Sequence, residues 1–378
     1  MLEELRRQLY DCSRCGFCRV WGWQGVEHVC PTYPFTSGWE THYARGRVRL
    51  AQATLEGQVE PNQAFLEHAY ACTLCGSCEA HCPVGVPLVD IFHAWRVDLA
   101  AAGQALPAHR QVLDGMRRHL NPYGPRPDDA SAPPRTARIL FYPGCTTNRM
   151  AGEIVTAVTG ILDRLELDGA LFSDDTCCGF PLYELGQVDA ARDMAQLTLE
   201  RIARYEPEVL LTTCPACYKT FKQILPQELG LAVPWDVQHI STFLMPHVQG
   251  RLSARPLVAT WHDPCVLGRH LGMYEEPREL LRAVPGLELR EMPANRQDAL
   301  CCGAGGGVYF ACQKMANEAV VHRLRQAVEV GAEAIVTSCP NCYVRFRQMS
   351  RQRRLPIQAR ALSQVIFEAL DPARLKPR

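Results

Sequence analysis

Apolar residues recur at intervals of three and four along several segments, which is the pattern of amphipathic helices. Segments 88–102, 146–165 and 188–205 show it most plainly. Short apolar runs that end in a cysteine, ARILFYPGC from Ala137 and PLVATWHDPC from Pro256, predict buried β-strands instead. Strands and helices alternate through the later two thirds of the chain. This alternation predicts an α/β fold with parallel sheets and helices on their faces.

The pattern of strands and cysteines occurs twice, at an offset of 120 to 125 residues. TCCGFP at 176–181 matches LCCGAG at 300–305, and TTCPACY at 212–218 matches TSCPNCY at 337–343. Similarity at a nearly fixed offset indicates a tandem duplication. The cysteines follow predicted strands, and open α/β sheets place their sites at the carboxyl ends of strands.

A proline-rich stretch, NPYGPRPDDASAPPRT, separates the two repeats from an N-terminal part that contains eight cysteines. Its prolines and its lack of apolar periodicity are typical of a linker. The sequence therefore predicts an α-helical N-terminal module at 1–120, a linker at 121–136, and two α/β cysteine-rich domains at 137–250 and 251–378.

Charge and cysteine content narrow the chemistry. The formal net charge is zero, which argues against a nucleic-acid partner and against a patch for anionic membranes. No signal-peptide core or membrane-length apolar stretch is visible, so we expect a cytoplasmic protein that reaches a membrane only through a partner subunit. Thiols stay reduced in that compartment, so 19 cysteines with repeated C-x-x-C spacing indicate metal sites rather than disulfides.

Two cysteine groups lie in the N-terminal module. CTLCGSCEAHCP at 72–83 has the spacing of bacterial ferredoxins, and CSRCGFC at 12–18 is followed by Cys30-Pro31. In two-cluster ferredoxins the fourth cysteine of each run binds the other cluster. We therefore predict two [4Fe–4S] cubane clusters, one bound by Cys12, Cys15, Cys18 and Cys82 and the other by Cys72, Cys75, Cys78 and Cys30.

The segment between Cys18 and Cys30 departs from the ferredoxin pattern. Eleven residues instead of three separate these cysteines, and they include Trp21, Trp23 and His28. The plainer interpretation is a surface loop with apolar anchors, and the sharper one is a docking site for a redox partner. Because Cys30-Pro31 keeps the expected dipeptide, we do not expect His28 to replace a cysteine ligand.

The repeats share the pattern C-x(n)-C-C-G-x(n)-C-x-x-C, and here the chain resembles the cysteine-rich, or CCG, domain family. That family includes catalytic subunits of heterodisulfide reductase, DsrK-type subunits, and iron–sulfur subunits of glycolate, lactate and glycerol-3-phosphate dehydrogenases. The resemblance covers the ferredoxin-type module and both repeats.

The resemblance implies a non-cubane [4Fe–4S] cluster in each repeat. A structural zinc in one of the repeats is the alternative, because four cysteines suffice for it. The remaining cysteine, Cys312, is expected to be a small core residue. The implied ligand sets are Cys145, Cys177, Cys178, Cys214 and Cys217 in the first repeat, and Cys265, Cys301, Cys302, Cys339 and Cys342 in the second.

The second repeat is the predicted reactive site. The glycine-rich run 303–307 after Cys302 suggests space beside that cluster, and Cys301, Cys302 and His262 are the candidate catalytic residues. His262 either protonates a leaving thiolate or orients its loop by a hydrogen bond. The first repeat has Tyr142-Pro143 and Phe180-Pro181 at the matching positions and is expected to be more closed.

These features predict an iron–sulfur subunit of a heterodisulfide-reductase-like oxidoreductase. Its cubane clusters pass electrons to CCG-bound clusters that reduce or form a thiol/disulfide. The alternative is an electron relay for a FAD-linked 2-hydroxyacid or glycerol-3-phosphate dehydrogenase that sends electrons toward quinone, and a third interpretation is a zinc-stabilised adaptor. Since no flavin or nicotinamide fingerprint is visible, a flavoprotein, a membrane cytochrome b or a quinone-reactive subunit is the expected partner. A small thiol/disulfide or a sulfur carrier is the expected substrate.

Overall fold

The computed structural model describes residues 1–19, 28–125 and 134–370. Its N-terminal module is helical and contains no strand among these residues, as the sequence predicts. Its α-helices are Arg6–Tyr10, Ala44–Leu55, Gln63–Tyr70, Ser77–Ala80, Leu88–Ala101 and Pro107–His119, and its 3-10 turns are Leu2–Leu5, Tyr33–Phe35 and Glu40–His42.

The first repeat contains a parallel sheet of four strands in the order β2-β1-β3-β4. Its central strands β1 and β3 are almost entirely buried, which is why they read as continuous apolar runs. The strands are β1 Ile139–Phe141, β2 Gly169–Leu171, β3 Val209–Thr212 and β4 Asp236–His239. The helices are Cys145–Met150, Gly152–Arg164, Phe180–Glu184, Val188–Ala203, Pro215–Lys219, Ile240–Phe243 and Met245–Val248, with a π-helical segment at Thr220–Glu228.

The second repeat has a parallel sheet of the same order, β6-β5-β7-β8. The equivalence of the two strand orders confirms the duplicated α/β fold. The strands are β5 Leu257–Trp261, β6 Leu287–Leu289, β7 Ala334–Thr337 and β8 Gln358–Ala361. The helices are Glu276–Arg282, Val308–Ala311, Gln313–Glu329, Pro340–Gln352 and Leu362–Ala369, with a π-helical segment at Val266–His270 and a 3-10 turn at Arg296–Asp298.

One predicted helix is divided in two. The periodicity of 146–165 predicts a single helix, but the backbone of Ala151 leaves the helical region, with φ −145° and ψ 50°. The two resulting helices are Cys145–Met150, which begins at a predicted ligand, and Gly152–Arg164, which packs its apolar face on the core.

The modules share cores rather than standing apart. One apolar cluster joins Trp95 of the N-terminal module to Leu140 and Cys178 of the first repeat. Another joins Phe141 of the first repeat to Trp261 of the second. The limits predicted for the parts stay predictions, but their packing fixes the three cysteine-rich regions relative to one another.

Arg96 lies where all three parts meet, and it is fully buried. Its guanidinium donates to the carbonyl oxygens of Glu184 at 3.0 Å, Gly306 at 2.9 Å and Cys72 at 2.6 Å. Gly306 approaches the Cys72 loop so closely that a Cβ there would lie 2.3 Å from the Cys72 carbonyl oxygen. This contact requires glycine and fixes the second repeat against the ferredoxin-type loop.

Among residues 1–19, 28–125 and 134–370, no helix is both long enough and apolar enough to span a membrane.

Candidate functional site

The two ferredoxin-type cysteine runs form similar loops. Arg14 and Leu74, each placed just before the second cysteine of its run, adopt positive φ values of 59° and 51°. The two loops therefore share a backbone turn, although Cys15 is exposed and its counterpart Cys75 is buried. The structure brings each predicted ligand set together around its own cavity, one of about 350 Å³ lined by Cys12, Cys15, Cys18 and Cys82, and one of about 380 Å³ lined by Cys30, Cys72, Cys75 and Cys78.

Two buried cations, Arg47 and Arg96, and the partly buried Arg269 surround the loop that leads into the second of these cavities. Arg47 donates to the Ala71 carbonyl at 2.8 Å, and Arg269 donates to the Cys75 carbonyl at 2.7 Å. With Arg96 they place three guanidinium groups on this loop, and among the described residues none of the three pairs with a carboxylate. Buried charge without a counter-charge is costly. An anionic thiolate-bound iron–sulfur cluster would supply the missing charge, so the residues present fit that group.

The five cysteines of the first repeat form one continuous cluster. The Sγ atoms of Cys177 and Cys145 lie 3.6 Å apart, and those of Cys178 and Cys217 lie 3.5 Å apart. Thiol contacts between Cys177 and Cys178, and between Cys217 and Cys214, complete the series. The cluster lies beyond the carboxyl ends of β1, β2 and β3, where the sequence predicts it.

The second repeat repeats this arrangement beyond β5, β6 and β7. The Sγ atoms of Cys301 and Cys265 lie 3.9 Å apart, and those of Cys342 and Cys302 lie 3.2 Å apart. Cys339 contacts Cys342 through its thiol.

The duplication extends to the electrostatics of the thiols. Hydrogen bonds from Cys177 and Cys217 hold the pKa of Cys178 well below its usual range. Hydrogen bonds from Cys301 and Cys342 do the same for Cys302. The thiolate is the form that binds a metal, so the second cysteine of each pair is prepared as a ligand.

His262 is fully buried beside the second cluster. Burial lowers its pKa, and Arg323 donates to its Nδ1 at 3.2 Å. One ligand atom from each of His262, Cys302 and Cys342 lies within 4.8 Å of the others, a compact set that also suits the zinc alternative. His262 therefore reaches the cysteines of the second repeat, but it does not line the large cavity beside the first repeat.

An open cavity lies beside the cysteines of the first repeat, and its space, including the solvent at its mouth, is about 880 Å³. Tyr309, Phe310 and Asn341 of the second repeat close it from the opposite side. Its lining includes one acidic and one basic residue, Glu184 and Arg345, neither of which the sequence analysis singled out. All five cysteines of the first set also line it, Cys145, Cys177, Cys178, Cys214 and Cys217.

The glycine run 303–307 packs closely on the ferredoxin-type loop, because a Cβ at Gly305 would lie 2.8 Å from the carbonyl oxygen of Thr73. Ala304, Gly305 and Gly307 of the same run line the large cavity beside the cysteines of the first repeat. The predicted space beside the second cluster stays a prediction. Cys75 and Cys301 belong to one buried cluster, and the interaction between their thiols lowers the pKa of Cys75. The second repeat thus contacts the ferredoxin-type module, while Phe180 and Pro181, expected to close the first repeat, form part of its cavity wall.

Glu184 is the acidic residue of that wall. Burial raises its pKa to about 7, against the opposing effects of the Gly306 backbone N–H and of Arg96 and Lys219. A carboxyl group with this pKa exchanges protons near neutral pH. It escaped sequence analysis because its position in FPLYE, a short helix after the CCG motif, carries no motif of its own.

Other predicted features fall outside the sites. Trp21 and Trp23 lie outside the described residues, so the docking interpretation of the insert stays a prediction. The His28 ring lies 4.9 Å from that of His322. Cys312 separates the helices Val308–Ala311 and Gln313–Glu329 and packs beside an apolar cluster.

Matches to known protein families fall in the same parts of the chain, the N-terminal module and the two repeats. The cysteine-rich domain family matches residues 139–222 and 259–347, and the 4Fe-4S dicluster domain family matches residues 8–86. These matches contain the repeats and the ferredoxin-type cysteines, respectively.

Several curated proteins are similar over most of the chain. A subunit of dihydromethanophenazine:CoB--CoM heterodisulfide reductase from Methanosarcina acetivorans is 30% identical over 367 residues, covering 89% of this chain and 87% of that protein. Its counterpart from Methanosarcina barkeri is 29% identical, with the same coverage. EtfAB:quinone oxidoreductase of Syntrophomonas wolfei is 25% identical, covering 88% of this chain and 54% of that protein. The chain belongs to the family of iron–sulfur oxidoreductase subunits with cysteine-rich domains that includes these heterodisulfide reductase proteins.

Proposed function

We propose that this chain is the disulfide-reducing iron–sulfur subunit of a heterodisulfide-reductase-like complex, and that its reactive centre lies in the first repeat. The observation that carries the proposal is the cavity of about 880 Å³, in which five clustered cysteines meet a carboxyl group and a guanidinium group. A cluster alone would need a space like that of the ferredoxin-type cavities, about 380 and 350 Å³, so the larger space in the first repeat leaves room for a substrate as well. The relatives from the two Methanosarcina species, whose names state a heterodisulfide activity, support the same interpretation.

The proposed cofactors are two cubane [4Fe–4S] clusters in the N-terminal module and one non-cubane [4Fe–4S] cluster in each repeat. When bound, these clusters supply one-electron redox chemistry. The His262–Cys302–Cys342 set keeps zinc in the second repeat as the alternative.

We infer the order in which electrons pass the sites from the exposure of the cysteines and from the contacts between the modules. Cys15 is exposed, and so are the apolar side chains of Phe17 and Val84 beside the same ligand set, which suits electron entry from a partner. Cys75 contacts Cys301, so the ferredoxin-type module adjoins the second repeat. The first repeat, with its cavity, is then the terminal site. In this order the substrate contacts the first repeat instead of Cys301, Cys302 and His262. The second repeat then has a relay role.

The residues of the cavity supply what disulfide reduction needs besides electrons. Cleavage of a disulfide consumes two electrons and two protons and yields two thiols. Phe180, Pro181 and Phe310 limit water around the reacting sulfur atoms. Glu184 lies in the same wall and supplies one of the protons, with solvent supplying the other and reprotonating the carboxylate.

The partners are proposed from the family and from the sequence, in which no flavin or nicotinamide fingerprint is visible. The electrons are exchanged with a flavoprotein, a membrane cytochrome b or a quinone-reactive subunit, and the substrate is a small thiol/disulfide or a sulfur carrier. We expect the complex in the cytoplasm, held at a membrane by a partner where it exchanges electrons with quinone.

Turnover of a simple disulfide tests the function. Anaerobically prepared protein with a reduced viologen dye is expected to reduce bis(2-hydroxyethyl) disulfide, measured as dye oxidation that yields two thiols per disulfide. Oxidised protein is expected to develop a new paramagnetic signal when a thiol is added. Rapid reduction by a flavoprotein, with neither turnover nor a thiol-dependent signal, would instead establish the relay function.

Metal content tests the cofactors. Protein purified without oxygen is expected to contain about 16 iron atoms, four for each of four [4Fe–4S] clusters. About 12 iron atoms with one zinc would indicate zinc in one repeat, and about eight with two zincs would support the adaptor interpretation.

A further inference from the structure

Arg345 is a buried cation on the wall of the cavity. It lies in helix Pro340–Gln352, is 3% exposed, and stacks with its guanidinium carbon 4.4 Å from the centre of the Tyr309 ring. Among the described residues no carboxylate forms an ion pair with it. Its positive charge is therefore uncompensated within the described chain.

The contacts of Arg345 differ from those of the arginines at the ferredoxin-type loop. Arg47, Arg96 and Arg269 donate to backbone carbonyls around predicted cluster ligands. Arg345 donates instead to the side-chain amides of Gln348, at 2.7 Å, and Asn317. Its Nε has no hydrogen-bond partner although it is buried.

Several other polar groups of the cavity are already engaged. Tyr123 and Thr146 share a hydrogen bond of 2.8 Å, and Thr146 donates to Asn341 at 2.8 Å. Glu184, the acidic residue in the lining, interacts with Arg96 and Lys219. The buried Thr147 hydroxyl also lacks a partner but is neutral, so Arg345 is the cation in the lining with unused capacity to bind an anion.

We infer that Arg345 is a specificity-determining residue that binds an acidic group of the substrate, so that the preferred thiol or disulfide carries a carboxylate, sulfonate or phosphate. The inference rests on the proposed function, since it assigns the substrate class of the same cavity. A guanidinium group forms charge-assisted, often bidentate, hydrogen bonds with such anions, and burial strengthens them.

A pair of matched disulfides tests this assignment. The disulfide of 3-mercaptopropionate carries two carboxylates, whereas bis(2-hydroxyethyl) disulfide is neutral and of similar size. In Arg345→Gln, kcat/KM for the acidic disulfide is expected to fall about 10- to 100-fold through KM, the loss expected for one charged hydrogen bond. The loss of kcat/KM for the neutral disulfide is expected to be much smaller, and the ratio of the two losses is the readout. Arg345→Lys keeps the charge and is expected to restore part of the preference.

Arg347→Gln is the matched control, because Arg347 lies on the same helix but pairs with Glu153 and does not line the cavity. It is expected to leave the preference for the acidic disulfide unchanged. Equal losses with both disulfides in Arg345→Gln, together with altered resonance spectra of the clusters, would overturn the inference. They would show that Arg345 balances the charge of a cluster.

Binding is measured independently of turnover. Oxidised protein is titrated with 3-mercaptopropionate or with 2-mercaptoethanol, and the thiol-dependent paramagnetic signal is recorded. Arg345→Gln is expected to raise the half-saturating concentration of the acidic thiol alone. Equal binding of both thiols by the unchanged protein would refute the inference. If the unchanged protein reduces neither disulfide, the proposed function falls, whereas this titration still decides the role of Arg345.

Discussion

Replacement of Ala304 by Trp is expected to reduce disulfide turnover by about 100-fold or more, because displacement of a substrate by even an ångström has that effect. Ala304 belongs to the second repeat, but its side chain lines the cavity beside the cysteines of the first repeat. An indole ring there occupies the space in which we place the substrate. Electron entry at the ferredoxin-type module does not use this space, so reduction of the clusters by dithionite is expected to remain complete.

Controls separate blockage of the cavity from loss of a cluster. Ala304→Ser adds little volume and is expected to keep full turnover, and the iron content of both variants must match that of the unchanged protein. The thiol-dependent paramagnetic signal is expected to disappear in Cys178→Ser and to persist in Cys302→Ser. Full turnover in Ala304→Trp, with the signal lost only in Cys302→Ser, would return the reactive centre to the second repeat and to Cys301, Cys302 and His262.

The second large effect is expected from Glu184→Gln, which removes the proposed proton donor without changing its shape. General acid catalysis contributes about 100-fold or more, so kcat is expected to fall by about that factor. The pKa of Glu184 is raised to about 7, chiefly by burial. The protonated form donates, so turnover of the unchanged protein is expected to be highest below pH 7 and to fall as the pH rises through that value. Glu184→Gln is expected to lose this dependence.

The control for Glu184→Gln is chosen by comparing the groups that surround Glu184 with those around another buried glutamate. The Gly306 backbone N–H, Arg96 and Lys219 stabilise its charged form, and Cys302 opposes it. Glu79 is a suitable control, because burial also raises its pKa but it accepts a hydrogen bond from the Val89 backbone and does not line the large cavity. Glu79→Gln is expected to keep the decline of turnover above pH 7. The same decline in Glu184→Gln would exclude Glu184 as the donor.

Local spacing explains why much of this protein is predictable from its sequence. Ligands within one cluster-binding run, such as Cys12, Cys15 and Cys18, are separated by two residues, and the short loop between them determines how their thiols converge. The repeated pattern of a strand followed by a CCG motif likewise predicts two parallel sheets with cysteines at the carboxyl ends of their strands. This prediction is possible because the spacing of apolar residues is a local property of the chain. The confirmed α/β fold with its helical N-terminal module follows from these features.

Only the tertiary structure decides which repeat meets which neighbour. The contact between Cys75 and Cys301 spans more than two hundred residues of chain, and the cavity joins Cys178 and Glu184 of the first repeat to Arg345 of the second. The sequences around the two CCG motifs do not show that the glycine run 303–307 contacts the ferredoxin-type loop and also lines the cavity beside the first repeat. Its glycines permit close packing on the Cys72–Thr73 backbone, and that packing follows from the docking of whole modules, which no local pattern encodes.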